Sequence, residues 1–309
     1  MTAAVVLRPG IEVFERGWLS SNNVLFTTGT TAAVDTGYVT HADQTVALVR
    51  HALGERALDV IANTHLHSDH CGGNAALQAA YPQANTLIPP GQSDAVARWD
   101  ESALTYSSTG QHCARFRFDA VLRPGAVVEL GEAAWQVHAA PGHDPDSVVL
   151  FEPQGRILIS ADALWENGFG IVFPELDGAS AFDEVRGTLD LIERLQPELV
   201  IPGHGSAFSG TPAVQGSLER ARSRLAAYVE DPCRHASHAM KVLIKFKLLE
   251  WQQVTNNDFS LWARAMPYMR QVQSRYFSDV GFDEWLERLL AELVRGGALG
   301  RDGVNLYNI

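Results

Sequence analysis

Short apolar runs alternate with polar, turn-forming stretches over the first two-thirds of the chain. Val24-Leu25-Phe26, Ala32-Ala33-Val34, Val60-Ile61-Ala62, Val127-Val128-Glu129-Leu130, Trp135-Gln136-Val137, Val148-Val149-Leu150-Phe151, Ile157-Leu158-Ile159 and Leu199-Val200-Ile201 have strand length and are rich in β-branched residues. Helical periodicity predicts helices near 42–53, 72–81 and 180–195. Strands interleaved with helices define an α/β class. The character changes after about residue 210. The segment from Gly203 to Gly216 is turn-rich, and the patterns beyond it, Leu218 to Tyr228, Ala236 to Leu249, Phe259 to Phe277 and Phe282 to Arg295, are helical. A helix ending at Gly296-Gly297, then a turn at Asp302-Gly303, predicts a winged-helix-like ending. The chain therefore divides into a large domain, 1–212, and a smaller, mostly helical one, 213–309. It shows no internal repeat and no low-complexity segment.

One strand-like run leads directly into His65-Leu66-His67-Ser68-Asp69-His70, three imidazoles and a carboxylate in six residues. A lone histidine in a loop is usually solvated or hydrogen-bonded; this density points to metal. In an extended segment, residues two apart face the same way, so His65 and His67 can grip one ion. Asp69 and His70 follow the turn and reach a second. Further ligands stand in turns after later apolar runs: His143 in Pro141-Gly142-His143, Asp162 after Ser160-Ala161, and His204 in Pro202-Gly203-His204. His65, His67 and His143 are assigned to the first ion, Asp69, His70 and His204 to the second, and Asp162 bridges them. Two ions about 3.5–4 Å apart form a clamp for hydrolysis. Imidazole and carboxylate without thiolate suit two zinc ions and leave iron or manganese open. The ions would hold a bridging hydroxide near neutral pH, with Asp69 as the catalytic residue that aims it at a carbonyl carbon.

With these motifs in place, the chain resembles the metallo-β-lactamase-fold hydrolases over roughly residues 10 to 210. The resemblance implies an αββα sandwich with the metal site at one edge. It also implies that Asp35, in Val34-Asp35-Thr36-Gly37, supports the metal loop from behind the ligands. A bridging Asp162 is typical of the glyoxalase II-like branch and of many lactonases. Ser160 to Gly170 resembles the glyoxalase II stretch that follows this residue, except that Ile171 stands where that family has a basic residue. Glutathione thus lacks an expected anchor, while thioester hydrolysis keeps its chemistry. Trp165, Phe169, Phe173 and Tyr268 are candidates for an apolar acyl pocket. Some members carry a C-terminal helical or winged-helix extension covering the active site, read here as a lid or homodimer element.

Composition narrows the alternatives. The chain has 309 residues, 46 % of them hydrophobic, and no apolar run long enough to span a bilayer. Met1 to Pro9 lacks the basic start of a signal peptide, which favours the cytoplasm. Three cysteines, Cys71, Cys113 and Cys233, do not make a disulfide framework, and Cys71 is read as a small residue opening a helix. A formal charge of −12 disfavours nucleic acid. Lys241, Lys245 and Lys247 are read as a solvated helix face, with a partner or anionic-tail site as the alternative. The expected function is a di-zinc hydrolase of a thioester or related carboxylic ester acting on a small molecule. The alternatives are a lactonase, a single-stranded RNA endonuclease, a non-catalytic effector on the same fold and, as a minor reading, a persulfide dioxygenase.

Overall fold

The computed structural model describes residues 7–309. The stretch Met1 to Val6, most of the segment weighed above as a signal peptide, lies outside the described residues. The chain forms two compact units. One runs to Leu104 and resumes from His112 to Leu225; the other takes Thr105–Gln111 and Ala226–Ile309. The division read from the sequence, 212/213, falls inside a helix, Thr211–Glu230, that continues through the end of the first unit.

The first unit holds two six-stranded sheets. One comprises β1 (Ile11–Phe14), β2 (Asn23–Phe26), β3 (Ala32–Val34), β4 (Val60–Ala62), β5 (Asn85–Ile88) and β6 (Ala120–Val121), in that order. The other comprises β7 (Val127–Leu130), β8 (Ala133–Ala139), β9 (Val148–Glu152), β10 (Ile157–Ala161), β11 (Leu199–Pro202) and β12 (Phe208–Ser209), again in sequential order. Alternation sorts their residues. Val24, Phe26, Ala32, Val34 and Ala62 share a core with Trp135, Val137, Val148, Leu150, Ile157, Ile159 and Ile201. Leu25, Ala33 and Ile61 point the other way, onto Val49 and Leu53 of the helix Ala42–Leu53 and Leu77 of the helix Asn74–Ala80. The strands are apolar on both faces because both faces are covered. Trp135 anchors the core: it is fully buried, meets Phe26 edge-on at 5.3 Å and donates its indole N–H to the Leu130 carbonyl. Beside the second sheet, the helix Phe182–Leu195 buries Val185, Thr188, Leu189 and Ile192, an i, i+3, i+4, i+7 stripe. Thr188 donates to the Pro141 carbonyl, and Arg222 pairs with Asp190 and Glu193.

Strand direction sets the position of the site. β3 and β4 are parallel. β8 and β10 are both antiparallel to β9, and β11 is parallel to β10, so these three also point one way. Every segment singled out for chemistry leaves the C-terminal end of one of these five strands. Two of the exits are in the left-handed region without glycine, Asp35 (φ 57°) and Ala161 (φ 45°). Such backbone is costly and clusters at functional sites.

The second unit contains the helices Pro232–Trp251, Asn256–Ala265, Pro267–Tyr276 and Phe282–Arg295. It also holds a three-stranded antiparallel sheet of β13 (Gln253–Thr255), β15 (Asn305–Asn308) and β14 (Leu299–Arg301). The last helix and the hairpin turning at Asp302-Gly303 form the wing-like ending expected from the sequence. The helical pattern over 259–277 is realised as two helices, because Pro267 opens the second and disfavours helix in the residue before it. The lysines do not make a solvated face. Lys241 pairs with Glu292, and Lys245 donates to the carbonyls of Ala298 and Ile309 and to Asn308. Lys247 is 2 % exposed, pairs with Glu250 and lies over the rings of Trp251 and Trp262. All three hold the second unit together. Among the described residues no helix is long and apolar enough to cross a membrane.

Candidate metal centre

β4 ends in Asn63-Thr64, and the backbone then runs extended through His67 before the short helix Ser68–Cys71. This break in conformation divides the cluster as the spacing suggested. Ligand atoms of His65, His67 and His143 form one group, those of Asp69, His70 and His204 another, and those of His65, His70 and Asp162 a third between them. Within each group the atoms lie within 4.8 Å of one another. All seven residues named from the sequence are thus brought together. Asp162 occupies the middle: its Oδ1 is 3.4 Å from His70 Nε2 and 3.9 Å from His204 Nε2, and its Oδ2 is 3.3 Å from His143 Nε2.

Two of the imidazoles, His70 and His143, are oriented from behind. His70 places Nδ1 2.8 Å from Asp35 Oδ2, so its N–H donates there and Nε2 is left facing the cluster. Asp35 is fixed in turn by the backbone N–H and hydroxyl of Thr64 at 2.9 and 2.8 Å. His143 donates from Nδ1 to the Ile171 carbonyl at 2.5 Å. Trp165 donates its indole N–H to Asp162 Oδ1 at 3.2 Å. Ligating histidines held by carboxylates or carbonyls are the usual architecture of metal centres. The structure also meets a more direct test. His65 Nε2 is buried and has no hydrogen-bond partner, and His70 Nε2 has only the Asp162 carboxylate, at 3.4 Å. A buried polar atom without a partner is costly, and a divalent cation held by the surrounding nitrogens and carboxylates would satisfy it.

The charge balance agrees. Burial, then neighbouring imidazoles, holds His65 well below its ordinary pKa. Burial takes His67 and His143 down to about 4. These three are neutral near pH 7. His67 Nδ1 lies 2.8 Å from His143 Nε2, so one N–H bridges the two rings. On the other side, burial opposes a charged His70, but Asp162, Asp35 and Asp69 outweigh it and raise its pKa well above the usual value. His204 is raised as Asp162 and Asp69 overcome burial. Asp69 and Asp162 are lowered despite burial, chiefly by His70 and His204. A cation entering this half displaces protons, so binding there is coupled to proton release.

Several further contacts shape the cluster, and the sequence reading assigned none of them this role. Trp18 stacks on His204 at 5.4 Å, and Trp165 meets the same ring edge-on at 5.4 Å. Asp144 lies 3.8 Å from His67 Nε2. Gly203 and Gly170 are required by space: a Cβ on the first would stand 2.3 Å from Asp162 Oδ1, and on the second 2.5 Å from His143 Nδ1. Of the proposed acyl-pocket residues, Phe173 lies against His67 and His143 (5.0 and 5.7 Å), Phe169 is buried, and Tyr268 belongs to the second unit. Cys71 does not join the ligand groups; its Sγ stands 3.3 Å from the His67 carbonyl and 3.8 Å from Cys113 Sγ.

Comparison with known proteins places this geometry. The family model "Metallo-beta-lactamase superfamily" matches residues 16–204. Acyl-coenzyme A thioesterase MBLAC2 of Homo sapiens is 27 % identical over 160 residues, covering 47 % of this chain and 55 % of that protein, so the chain spans little more than half the length of this relative. Hydroxyacylglutathione hydrolase of Anaeromyxobacter dehalogenans (strain 2CP-C) is 33 % identical over 221 residues, covering 69 % and 74 % of the two chains. Among solved structures, the metallo-beta-lactamase family protein TTHA1429 from Thermus thermophilus has the same fold, with a TM-score of 0.58 at 19 % identity over 98 % of this chain and 100 % of that one. TTHA1623, solved in a di-iron-bound form, aligns with a TM-score of 0.54 at 25 % identity over 68 % of this chain and 98 % of that one. A family model spanning most of the first unit and a one-third-identical relative matched over most of both lengths lead to one conclusion: the chain belongs to the metallo-beta-lactamase superfamily.

Proposed function

We propose that the chain is a two-metal hydrolase that cleaves thioesters. The observation that carries this reading is the central placement of Asp162, whose two oxygens face histidines of both outer groups. His65, His67 and His143 would hold one ion, Asp69, His70 and His204 the other, with Asp162 between. The imidazole–carboxylate donor set favours zinc; the di-iron form of TTHA1623 makes iron the competing choice, and elemental analysis of the purified protein decides between them. Divalent ions bound here supply acidified water and a Lewis acid for a carbonyl oxygen.

The chain's own groups do the rest. Asp69, lowered in pKa by His70 and His204, stays a carboxylate and accepts a hydrogen bond from the attacking water, aiming its oxygen at the acyl carbon. The Asp35–His70 and Ile171–His143 hydrogen bonds keep the rings from turning. Water adds to the acyl carbon and releases a proton to solvent, the carbon–sulfur bond breaks, and the sulfur leaves with the bonding electron pair, giving a carboxylic acid and a thiolate that takes up a proton from solvent. A thiol with a pKa of about 8.5 leaves readily without a general acid. Phe173 beside His67 and His143 offers an apolar surface for the acyl chain. The two named relatives, an acyl-coenzyme A thioesterase and a hydroxyacylglutathione hydrolase, both act on thioesters, which favours this class over lactones and RNA.

The test is thiol release from coenzyme A and glutathione thioesters of graded acyl length, with Asp69→Asn as control. Wild type should release thiol, and Asp69→Asn, folded by circular dichroism, should lose roughly 10²-fold or more in kcat, the scale of a positioned acid–base group. Absence of release from every thioester by metal-loaded wild type would refute the thioester reading.

A further inference from the structure

Away from the metal cluster, the first unit has an open cavity of about 450 Å3 lined by Asn167, Gly216, Glu219, Arg220, Ser223 and Arg224. Arg220 and Arg224 are one turn apart on the helix Thr211–Glu230 and so share a face. Arg222, between them in sequence, is committed to Asp190 and Glu193. Among the described residues, neither Arg220 nor Arg224 pairs with a carboxylate. Arg220 is steadied by neutral acceptors instead, donating from Nε to the Glu166 carbonyl at 2.9 Å and from Nη2 to Ser217 Oγ at 3.0 Å.

Gly168 and Gly216 lie close against the two guanidinium groups. A Cβ on Gly168 would stand 2.5 Å from Arg224 Nη1, and one on Gly216 would stand 3.2 Å from Arg220 Nη1. Two cations, against the single carboxylate of Glu219, therefore face an open cavity whose wall also offers an amide and a hydroxyl. A guanidinium fork matches the oxygens of a carboxylate or phosphate.

The cavity is joined to the metal cluster by one tight turn. Asn167 lies within it, and the backbone N–H of Trp165 donates to the Gly168 carbonyl at 2.6 Å. The Trp165 indole then reaches Asp162. A thioester held with its carbonyl at the cluster would, in this proposal, extend its thiol end along this turn towards the two arginines. We propose that Arg220 and Arg224, with Ser223 and Asn167, bind an oxyanion of the substrate's thiol carrier, either a phosphate of coenzyme A or a carboxylate of glutathione. This rests on the thioester reading above and supplies the cationic anchor missing at Ile171.

The test is binding, which does not depend on cleavage. Coenzyme A, glutathione and the phosphate-free thiol pantetheine are titrated calorimetrically into full-length wild type and into R220Q/R224Q. Wild type should bind one charged thiol at least about ten-fold tighter than pantetheine, and the double variant should lose that preference. Preference for coenzyme A or for glutathione identifies the source of the oxyanion. The single variant R224Q, expected to lose part of the preference, serves if the double variant misfolds. Equal binding of the charged thiol by wild type and a folded variant, or no preference over pantetheine in wild type, overturns the anchor. Turnover of a neutral S-acyl-N-acetylcysteamine by wild type reports on the thioester reading separately, because that substrate carries no oxyanion.

Discussion

Asp162→Ala is expected to strip the cluster of metal and to lower thioester turnover by roughly 10³-fold or more, beyond the 10²–10³ typical of losing one oriented transition-state contact. Asp162 lies 3.3 to 3.9 Å from imidazole nitrogens on three separate segments, those of His70, His143 and His204. Its removal takes an anionic donor from both proposed ion positions at once, whereas losing any single histidine weakens one. It also takes the acceptor of the Trp165 indole. Asp162→Asn separates charge from shape: an amide oxygen can still accept from Trp165 but no longer offsets two cations. It should therefore fall nearly as far as alanine. Elemental analysis and turnover on the same preparations check this, and a variant with full metal content and full activity would show that Asp162 is not the bridge.

Asp35 carries the second large expectation, although it is in none of the ligand groups. Three buried donors converge on its carboxylate, the Thr64 N–H, the Thr64 hydroxyl and His70 Nδ1. Asp35→Ala leaves all three without their acceptor, at about 1–3 kcal/mol for each buried group left unsatisfied. The expected result is a several kcal/mol loss of stability, read as a lowered midpoint of thermal unfolding. Asp35→Asn preserves shape, but its amide can face His70 with a donor where an acceptor is needed. Metal affinity in that variant should drop about 10–100-fold, the usual range for a residue supporting a ligating histidine. Competition against a chelator measures it, and an unchanged affinity would mean that His70 is held by other contacts.

The proposed ligands were legible because their spacing is local or punctuated. His65 to His70 is a single run, and His143, Asp162 and His204 each follow an apolar strand and a turn. The inner strands were legible for a related reason: burial on both faces gives continuous apolar runs such as Val148-Val149-Leu150. β5, which begins with Asn85 and Thr86, and the two-residue β6 and β12 carry no such signal; their neighbours' backbones specify them. The supports behind the ligands were hidden for another reason. The acceptor for His143 is a backbone carbonyl, which any residue at position 171 would provide, and the ring stacked on His204 comes from Trp18, far away in sequence. The lysines misled because a helical pattern cannot reveal that Lys245 reaches the chain's last strand or that Lys247 is roofed by two indoles.

The flanking of His204 by Trp18 and Trp165 has an optical consequence. Both indoles are about 5.4 Å from that imidazole, and they meet each other edge-on at 5.5 Å. Indole emission is quenched by a nearby protonated imidazole and by many transition-metal ions, but not by closed-shell zinc alone. The unmodified protein therefore carries its own fluorophores beside one proposed ion position. Titrations with zinc and with iron would change emission in different directions, distinguishing the two metals before any substrate is known.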